Sequence, residues 1–101
     1  MIGFRTSKNE ISYSEAMRIQ SECPKSVLID VRSRQEYDEG HLNGAISMPV
    51  YEIARKITKI ITNRETLIIC YCQVGNRSKK AVKILDNLCY TNVYMIKGGL
   101  D

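Results

Sequence analysis

The chain alternates short runs of apolar residues with segments in which apolar residues recur at helical spacing. Strand-like runs occupy residues 27–31, 45–48, 66–71 and 93–96, and the run at 66–71 gives the strongest strand signal. These runs are apolar at consecutive positions, which is typical of strands buried on both faces of a parallel sheet. The alternation therefore predicts an α/β fold in which helices cover both faces of a mainly parallel sheet.

Helical segments are predicted before and between these strands. Ser12 and Glu15 match a capping box, so we expect a first helix from there to about Glu22. Residues 33–39 can form one or two helical turns that end at Gly40. Two further helices are predicted from apolar residues at helical spacing. Their apolar faces are formed by Ile53, Ile57, Ile60 and Ile61, and by Ala81, Val82, Leu85, Leu88 and Cys89.

Length, composition and charge are those of an ordinary soluble globular protein. The 101 residues suggest one domain, residues 1–101, and 44% of them are hydrophobic. The 15 basic and 11 acidic residues give a net charge of +4, which slightly favours small anionic partners. No basic run or basic stripe with interleaved aromatics is present, so we expect no nucleic-acid partner. The oligomeric state is left open.

The N-terminus and the cysteines indicate the compartment. Polar residues begin within the first few positions of residues 1–8, and this segment contains no apolar core of the length found in signal peptides. The longest apolar runs have the length of strands, so no membrane-spanning helix and no membrane partner are expected. The cysteines are Cys23, Cys70, Cys72 and Cys89, and they occur in a chain that can form a core. Reduced thiols in a cytoplasmic protein are the simpler interpretation.

Cys72 directly follows the strongest strand, at the carboxyl end where parallel sheets bind ligands. A tight loop that enters a helix turns backbone N–H groups toward one point, and the helix adds its positive end. Gly75 permits unusual backbone angles, Asn76 tolerates left-handed geometry, and Arg77 adds a permanent positive charge. These surroundings should favour the thiolate, which is the nucleophilic form of cysteine. Cys72 is therefore the predicted catalytic residue.

Motifs along nearly the whole chain resemble those of the single-domain rhodanese (thiosulfate sulfurtransferase) family. The segments LIDVR (28–32), EY (36–37), GHLNGA (40–45) and MP (48–49) follow the first signature of that family. Residues 72–78 are similar to its active-site loop, and Gly98 with Gly99 resembles its closing motif. The closing glycines are usually followed by a tryptophan and a few more residues, whereas this sequence ends at Asp101, so a trimmed C-terminal end is left open.

The resemblance implies a rhodanese-like fold with a five-stranded, mainly parallel sheet and helices on both faces. It implies that Cys72 accepts a sulfane sulfur as a persulfide and passes it on. The expected donor is small and anionic, such as thiosulfate, and the acceptor is cyanide or a thiol, either small or on a thioredoxin-like protein. No metal and no organic cofactor are expected. The implied substrate-binding residues are Gln73, Val74, Gly75, Asn76, Arg77 and Ser78, together with Asp30 and Arg32.

Two other functions are weighed against sulfur transfer. One is a cysteine-loop phosphatase or arsenate reductase, whose loop resembles that of cell-cycle dual-specificity phosphatases and has five residues between cysteine and arginine. Here four residues, 73–76, separate Cys72 from Arg77, and the shorter loop suits one sulfur atom better than a tetrahedral anion. The other is a rhodanese-like regulatory module without catalysis, but such modules typically lack the cysteine.

Several polar and thiol residues are interpreted as structural. His41, the only histidine, lies in a turn and is expected to make a structural hydrogen bond. Cys70 and Cys89 are interpreted as core residues, with Cys89 on the last helix, and Cys23 has no evident role. Asp30 is left open between a structural acceptor at the strand end and a participant in the reaction. The acidic residues expected to form a solvated face are Glu36, Asp38 and Glu39.

Overall fold

The computed structural model describes residues 9–100. Residues 1–8, on which the signal-peptide prediction rests, and Asp101 lie outside the described residues. The strands are β1 (Glu10–Ile11), β2 (Val27–Asp30), β3 (Ile46–Ser47), β4 (Ile68–Tyr71) and β5 (Val93–Ile96). The α-helices are α1 (Tyr13–Glu22), α2 (Arg34–Glu39), α3 (Ile53–Ile60) and α4 (Asn76–Asn87), and a 3-10 turn at Val50–Glu52 precedes α3.

The strands form one five-stranded sheet in the order β1-β5-β4-β2-β3, and every neighbouring pair is parallel. The predicted α/β fold with a parallel sheet is confirmed. In the central pair, Asp30 at the end of β2 is opposite Tyr71 at the end of β4. The residues that follow these two strands, including Arg32 and Cys72, therefore leave the sheet at the same edge.

Each face of the sheet has its own core, because alternate residues of a strand face opposite sides. On one side, Ile68 and Cys70 of β4 pack in a cluster that includes residues of α3 and α4. On the other side, Ile69 and Tyr71 pack with residues of α1 and α2. This confirms the expected helices on both faces. No helix within residues 9–100 is long and apolar enough to cross a membrane.

Capping boxes start both α1 and α2. The Glu15 N–H donates to the Ser12 hydroxyl at 3.0 Å, and the Ser12 N–H donates to the Glu15 carboxylate at 2.9 Å. Ser33 and Glu36 make the same reciprocal pair at the start of α2. Each box satisfies two N–H groups that the helix geometry leaves without intrahelical partners. The predicted starts of these helices are confirmed.

The structure corrects the sequence interpretation at two apolar positions. Ile60 follows the helical spacing of α3, but 55% of its surface is exposed, because α3 ends there and only its Ile53 and Ile57 are buried. Cys89 is neither in a helix nor in the core: α4 ends at Asn87, and Cys89 is exposed with a left-handed φ of +71°. The chain reverses at this point to bring Tyr90 back into the core.

Candidate active site

Cys72 is the first residue after β4, at the carboxyl edge of the sheet. It continues the row of Ile68 and Cys70, and it packs in the same core cluster as they do. Its exposed fraction is 0%. The sulfur is thus enclosed by protein at the edge where parallel sheets bind ligands.

Backbone amides of the loop converge on the Cys72 sulfur. The Gly75 N–H donates to Sγ over an N···S distance of 3.0 Å, and the Ser78 N–H donates to it over 3.4 Å. The Ser78 hydroxyl lies 3.3 Å from Sγ and donates to the Gly75 carbonyl at 3.1 Å. Fixed donors of this kind stabilise negative charge on an atom without having to reorganise.

The first turn of α4 supplies one of these donors. Gly75 is the N-cap of α4 and has a left-handed φ of +97°, a conformation that glycine adopts without the steric cost of a Cβ. Gly75 itself makes no side-chain capping bond, and the amide of the third helical residue, Ser78, donates to the Cys72 sulfur instead. The sulfur occupies the place of an N-cap oxygen, where the positive end of the helix dipole favours an anion.

Arg77, a predicted substrate-binding residue of the loop, is paired with an acidic residue. Its guanidinium donates to the two carboxylate oxygens of Glu36 at 2.6 and 3.0 Å. This contact, together with the Ser33 backbone N–H, lowers the pKa of Glu36 to about 2. The hydrogen bond that Arg77 donates to Glu36 is also the main reason why the pKa of Arg77 is raised. Glu36 is therefore a partner of the loop, and its interpretation as part of a solvated face was wrong.

The remaining predicted loop residues form the outer surface of the loop. Val74 is 55% exposed, Asn76 is exposed, and Gln73 is half buried. Gln73 and Val74 can contribute their backbone N–H groups to an anion in the loop, and Asn76 begins the helix.

Asp30 and Arg32 form a buried ion pair with each other. Asp30 accepts from the Arg32 backbone N–H at 2.9 Å and from its guanidinium at 2.8 to 3.2 Å. Arg32 also donates to the Gly40 carbonyl at 2.6 Å. These contacts correspond to the structural role for Asp30, one of the two roles that the sequence analysis left open. The pair fixes the turn after β2 at the same edge of the sheet as Cys72.

Tyr71 extends this buried network and was not singled out from the sequence. Its hydroxyl donates to Asp30 at 2.8 Å and accepts from the Leu42 N–H at 3.0 Å. Burial is the main cause that raises the pKa of Tyr71 above its ordinary value, so the hydroxyl stays protonated and can donate. The register that places Tyr71 opposite Asp30 is the signal that would have indicated the contact, and it requires the sheet to be known.

His41 makes a structural contact, as predicted. Its Nδ1 lies 2.9 Å from the Tyr37 carbonyl oxygen, and its ring stacks on the Tyr37 ring with the centroids 3.7 Å apart. The Tyr37 hydroxyl in turn donates to the Ala45 carbonyl at 2.8 Å. His41 therefore helps to hold the turn that follows α2.

The other cysteines differ sharply from one another in exposure. Cys70 is fully buried, and burial raises the pKa of its thiol to about 12, with a smaller contribution from Cys72. Its predicted place in the core is confirmed. Cys23 and Cys89 are exposed, and all four cysteines, which lie within the described residues, are free thiols.

Proteins with similar sequences include sulfurtransferases and a larger enzyme. The chain is 33% identical over 91 residues to the thiosulfate sulfurtransferase GlpE of Pseudomonas entomophila, covering 90% of this chain and 80% of that protein. It is 35% identical over 107 residues to the tRNA uridine(34) hydroxylase of Buchnera aphidicola, covering 98% of this chain. The chain spans only 34% of the length of that hydroxylase.

A structural comparison and a family model agree with these sequence similarities. The human single-domain sulfurtransferase TSTD1 superimposes with a TM-score of 0.78 and 25% identity, over 90% of each chain. A family model described as the rhodanese-like domain matches residues 12–101, which include both the loop at 72–78 and the turn at 98–100. The chain belongs to the rhodanese-like domain family.

Proposed function

We propose that this protein transfers sulfane sulfur through a persulfide on Cys72. The observation that carries the proposal is the convergence of the Gly75 and Ser78 amides on the Cys72 sulfur at the start of α4. A persulfide is anionic on its outer sulfur and needs such donors. Membership of a family that includes named thiosulfate sulfurtransferases supports the same chemistry.

The reaction proceeds in two balanced displacements. The Cys72 thiolate attacks the outer sulfur of thiosulfate, the bond between the two sulfur atoms of thiosulfate breaks, and sulfite leaves with the electron pair. An acceptor thiolate or cyanide then attacks the outer sulfur of the persulfide, and Cys72 leaves again as a thiolate. No net oxidation occurs, and the chain supplies fixed N–H donors rather than a proton-transferring base.

The donor and the acceptor are proposed by their chemistry. A small anionic donor such as thiosulfate suits a fully buried sulfur onto which backbone amides converge. The acceptor is cyanide or a thiol, which is either a small molecule or part of a thioredoxin-like protein. Thiosulfate is the first donor to test, since it occurs in the name of the relative GlpE.

The position of Arg77 argues against the oxyanion enzymes. Arginine recognises phosphate and similar anions by donating two parallel hydrogen bonds. Arg77 directs two of its five N–H donors to Glu36, so an oxyanion would have to bind the remaining edge of the guanidinium, beside a carboxylate that repels it. A phosphatase or arsenate reductase therefore remains the weaker proposal.

Intact mass spectrometry tests the proposed persulfide directly. The protein is exposed to thiosulfate, freed of excess reagent and weighed. We expect a gain of one sulfur atom in the wild-type chain and in Cys89→Ser, which removes an exposed thiol, and none in Cys72→Ser. Addition of cyanide should remove the extra sulfur and yield thiocyanate.

Three results would contradict the proposal. The first is a sulfur gain that persists in Cys72→Ser, and the second is a wild-type chain that gains no sulfur, as expected for a purely regulatory module. The third is release of phosphate from an aryl phosphate at a rate that exceeds thiosulfate turnover.

A further inference from the structure

The C-terminal turn of the described chain contacts the backbone of the active-site loop. The Leu100 N–H donates to two consecutive carbonyls of the loop, that of Cys72 at 3.0 Å and that of Gln73 at 2.9 Å. The Leu100 side chain packs against the core cluster on the α1 and α2 side of the sheet. A single amide, held in place by its own side chain, thus binds both peptide groups that follow the candidate nucleophile.

This contact sets the direction of the neighbouring amides. A peptide unit is planar and trans, so its N–H points opposite to its C=O. Because the carbonyls of Cys72 and Gln73 point toward Leu100, the N–H groups of Gln73 and Val74 point away from it. Without the Leu100 N–H, both carbonyls would lose this donor and the two peptide units would lose the restraint that it places on their orientation.

Gly99 is the residue that permits this close approach. Its φ is +68°, and a Cβ built on it would lie 2.4 Å from the Cys72 carbonyl oxygen and 2.5 Å from that of Gln73. Contacts that short involve backbone atoms, which cannot move aside as the end of a flexible side chain can. Gly98 has a similar φ of +74°, but a Cβ there would meet nothing within 4 Å.

We propose that Gly99 is a positioning residue for sulfur transfer: it lets residues 98–100 lie against the loop and fix the peptide groups after Cys72, so that their N–H groups face the transferred sulfur. The inference rests on the proposed function of Cys72. It adds that the anion site has two parts, the start of α4 on one side and the turn at 98–100 behind the loop. Gly99 acts through the Cys72 and Gln73 peptides and does not touch the substrate.

The matched pair Gly99→Ala and Gly98→Ala tests this proposal. Both variants place alanine at a left-handed φ, which lowers the stability of each by about 1 kcal/mol. Only the Cβ added in Gly99→Ala clashes with the loop carbonyls. A second pair, Leu100→Pro and Leu100→Ala, removes the donating N–H in the first variant only. This second pair gives a result even if Gly99→Ala does not fold.

Two readouts separate positioning from folding. The first is the alkylation rate of Cys72 by iodoacetamide, measured in a Cys23→Ser/Cys89→Ser background that lacks the exposed thiols. The second is kcat and KM for thiosulfate with cyanide as acceptor. Urea unfolding and circular dichroism establish that each variant is folded at the assay temperature.

We expect Gly99→Ala and Leu100→Pro to lower both the alkylation rate and kcat by at least about tenfold, because complete loss of a positioned donor or a 1 Å misplacement costs on the order of a hundredfold. Gly98→Ala should stay within about twofold of the parent. Leu100→Ala keeps the donating N–H but shortens the side chain that anchors it, so its loss should be smaller than that of Leu100→Pro. Equal rates within both pairs, in folded proteins, would overturn the positioning role. If the parent gains no sulfur from thiosulfate while the alkylation rates still differ within the pairs, the proposed function fails and the positioning of the thiol stands.

Discussion

The ion pair between Glu36 and Arg77 joins α2 to the first turn of α4 across 41 positions of sequence. Glu36→Gln removes the negative charge of this pair. It keeps the length of the side chain and one oxygen atom that can accept a hydrogen bond. Glutamine also serves in capping boxes, so the hydrogen bonds with Ser33 at the start of α2 can be retained. The substitution therefore tests the charge of Glu36 with little change to the helix.

The expected loss of stability follows from the shifted pKa and the exposure of the pair. The pKa of Glu36 is lowered from 4.5 to about 2. If the whole shift contributed to the free energy of unfolding, it would add about 3 kcal/mol. The Ser33 contacts account for part of that shift, and the Glu36 and Arg77 side chains are 33% and 37% exposed. Solvent screening then reduces the contribution of the ion pair, and we expect about 1 kcal/mol at pH 7.

The sign of the pH dependence follows from the direction of the shift. The carboxyl binds its proton less readily in the folded chain than in the unfolded chain, so it stabilises the fold above the unfolded pKa of 4.5. This contribution is lost as the pH falls from 4.5 toward about 2. The stability difference between wild type and Glu36→Gln should therefore be constant near neutral pH and narrow progressively below pH 4.5.

Urea unfolding at a series of pH values measures this difference, and a double-mutant cycle with Arg77→Met isolates the pairwise term. Glu39→Gln is the control, because Glu39 is exposed on the same helix and makes no ion pair within residues 9–100. The control should change stability by less than about 0.5 kcal/mol. A coupling energy near zero, or a difference that widens as the pH falls, would refute the reasoning.

Three further predictions concern residues outside the loop. Cys89→Gly should stabilise the fold by about 0.5–1 kcal/mol, because glycine relieves the left-handed φ of +71°, and Cys89→Ala, which keeps that strain, should not. Tyr71→Phe should lower the free energy of unfolding, measured with urea, by about 1–3 kcal/mol, because the Leu42 N–H loses its acceptor and Asp30 loses a donor. A decrease below about 0.5 kcal/mol would contradict a stabilising role for this hydrogen-bond network. Cys70 should resist iodoacetamide until urea unfolds the chain, because its buried thiol has a pKa of about 12, and peptide mapping that finds labelled Cys70 in the folded protein would contradict this.

Local signals in the sequence predicted most of the fold. The apolar runs that become β2, β4 and β5 are continuous because both faces of the sheet are covered. The start of α1 was readable from Ser12 and Glu15, since a capping box depends on residues only three positions apart. The first strand, Glu10–Ile11, was missed because two residues show no periodicity, and only its pairing with β5 defines it.

Contacts between distant residues could not be predicted from the sequence. Glu36 has the charge and the flanking residues of a solvated helix face, and its partner Arg77 belongs to another helix. Tyr71 looks like one more apolar residue of β4 until the register places it opposite Asp30. In each case the signal is a tertiary distance, which propensity and spacing do not contain.

The end of α4 was misjudged for a local reason. The Cys89 N–H donates to the Asp86 carbonyl, and the Tyr90 N–H donates to the Leu85 carbonyl. This pair of bonds forms a Schellman motif, which usually has glycine at the position of Cys89. Because a cysteine stands there, the sequence carries no stop signal, and the apolar spacing extends the predicted helix too far.

A negative charge on the Cys72 sulfur, which the proposed reaction requires, and the start of α4 would stabilise each other. The helix begins at Asn76, carries Arg77, Lys79 and Lys80 near its start, and has no acidic residue in its first turn, an arrangement that opposes the helix dipole. The sulfur accepts from the Ser78 amide, and so an anionic sulfur there supplies the negative charge that this helix terminus lacks. In the proposed sulfur transfer, the amide that donates to the inner sulfur of the persulfide is therefore the same amide that this sulfur caps at the start of α4.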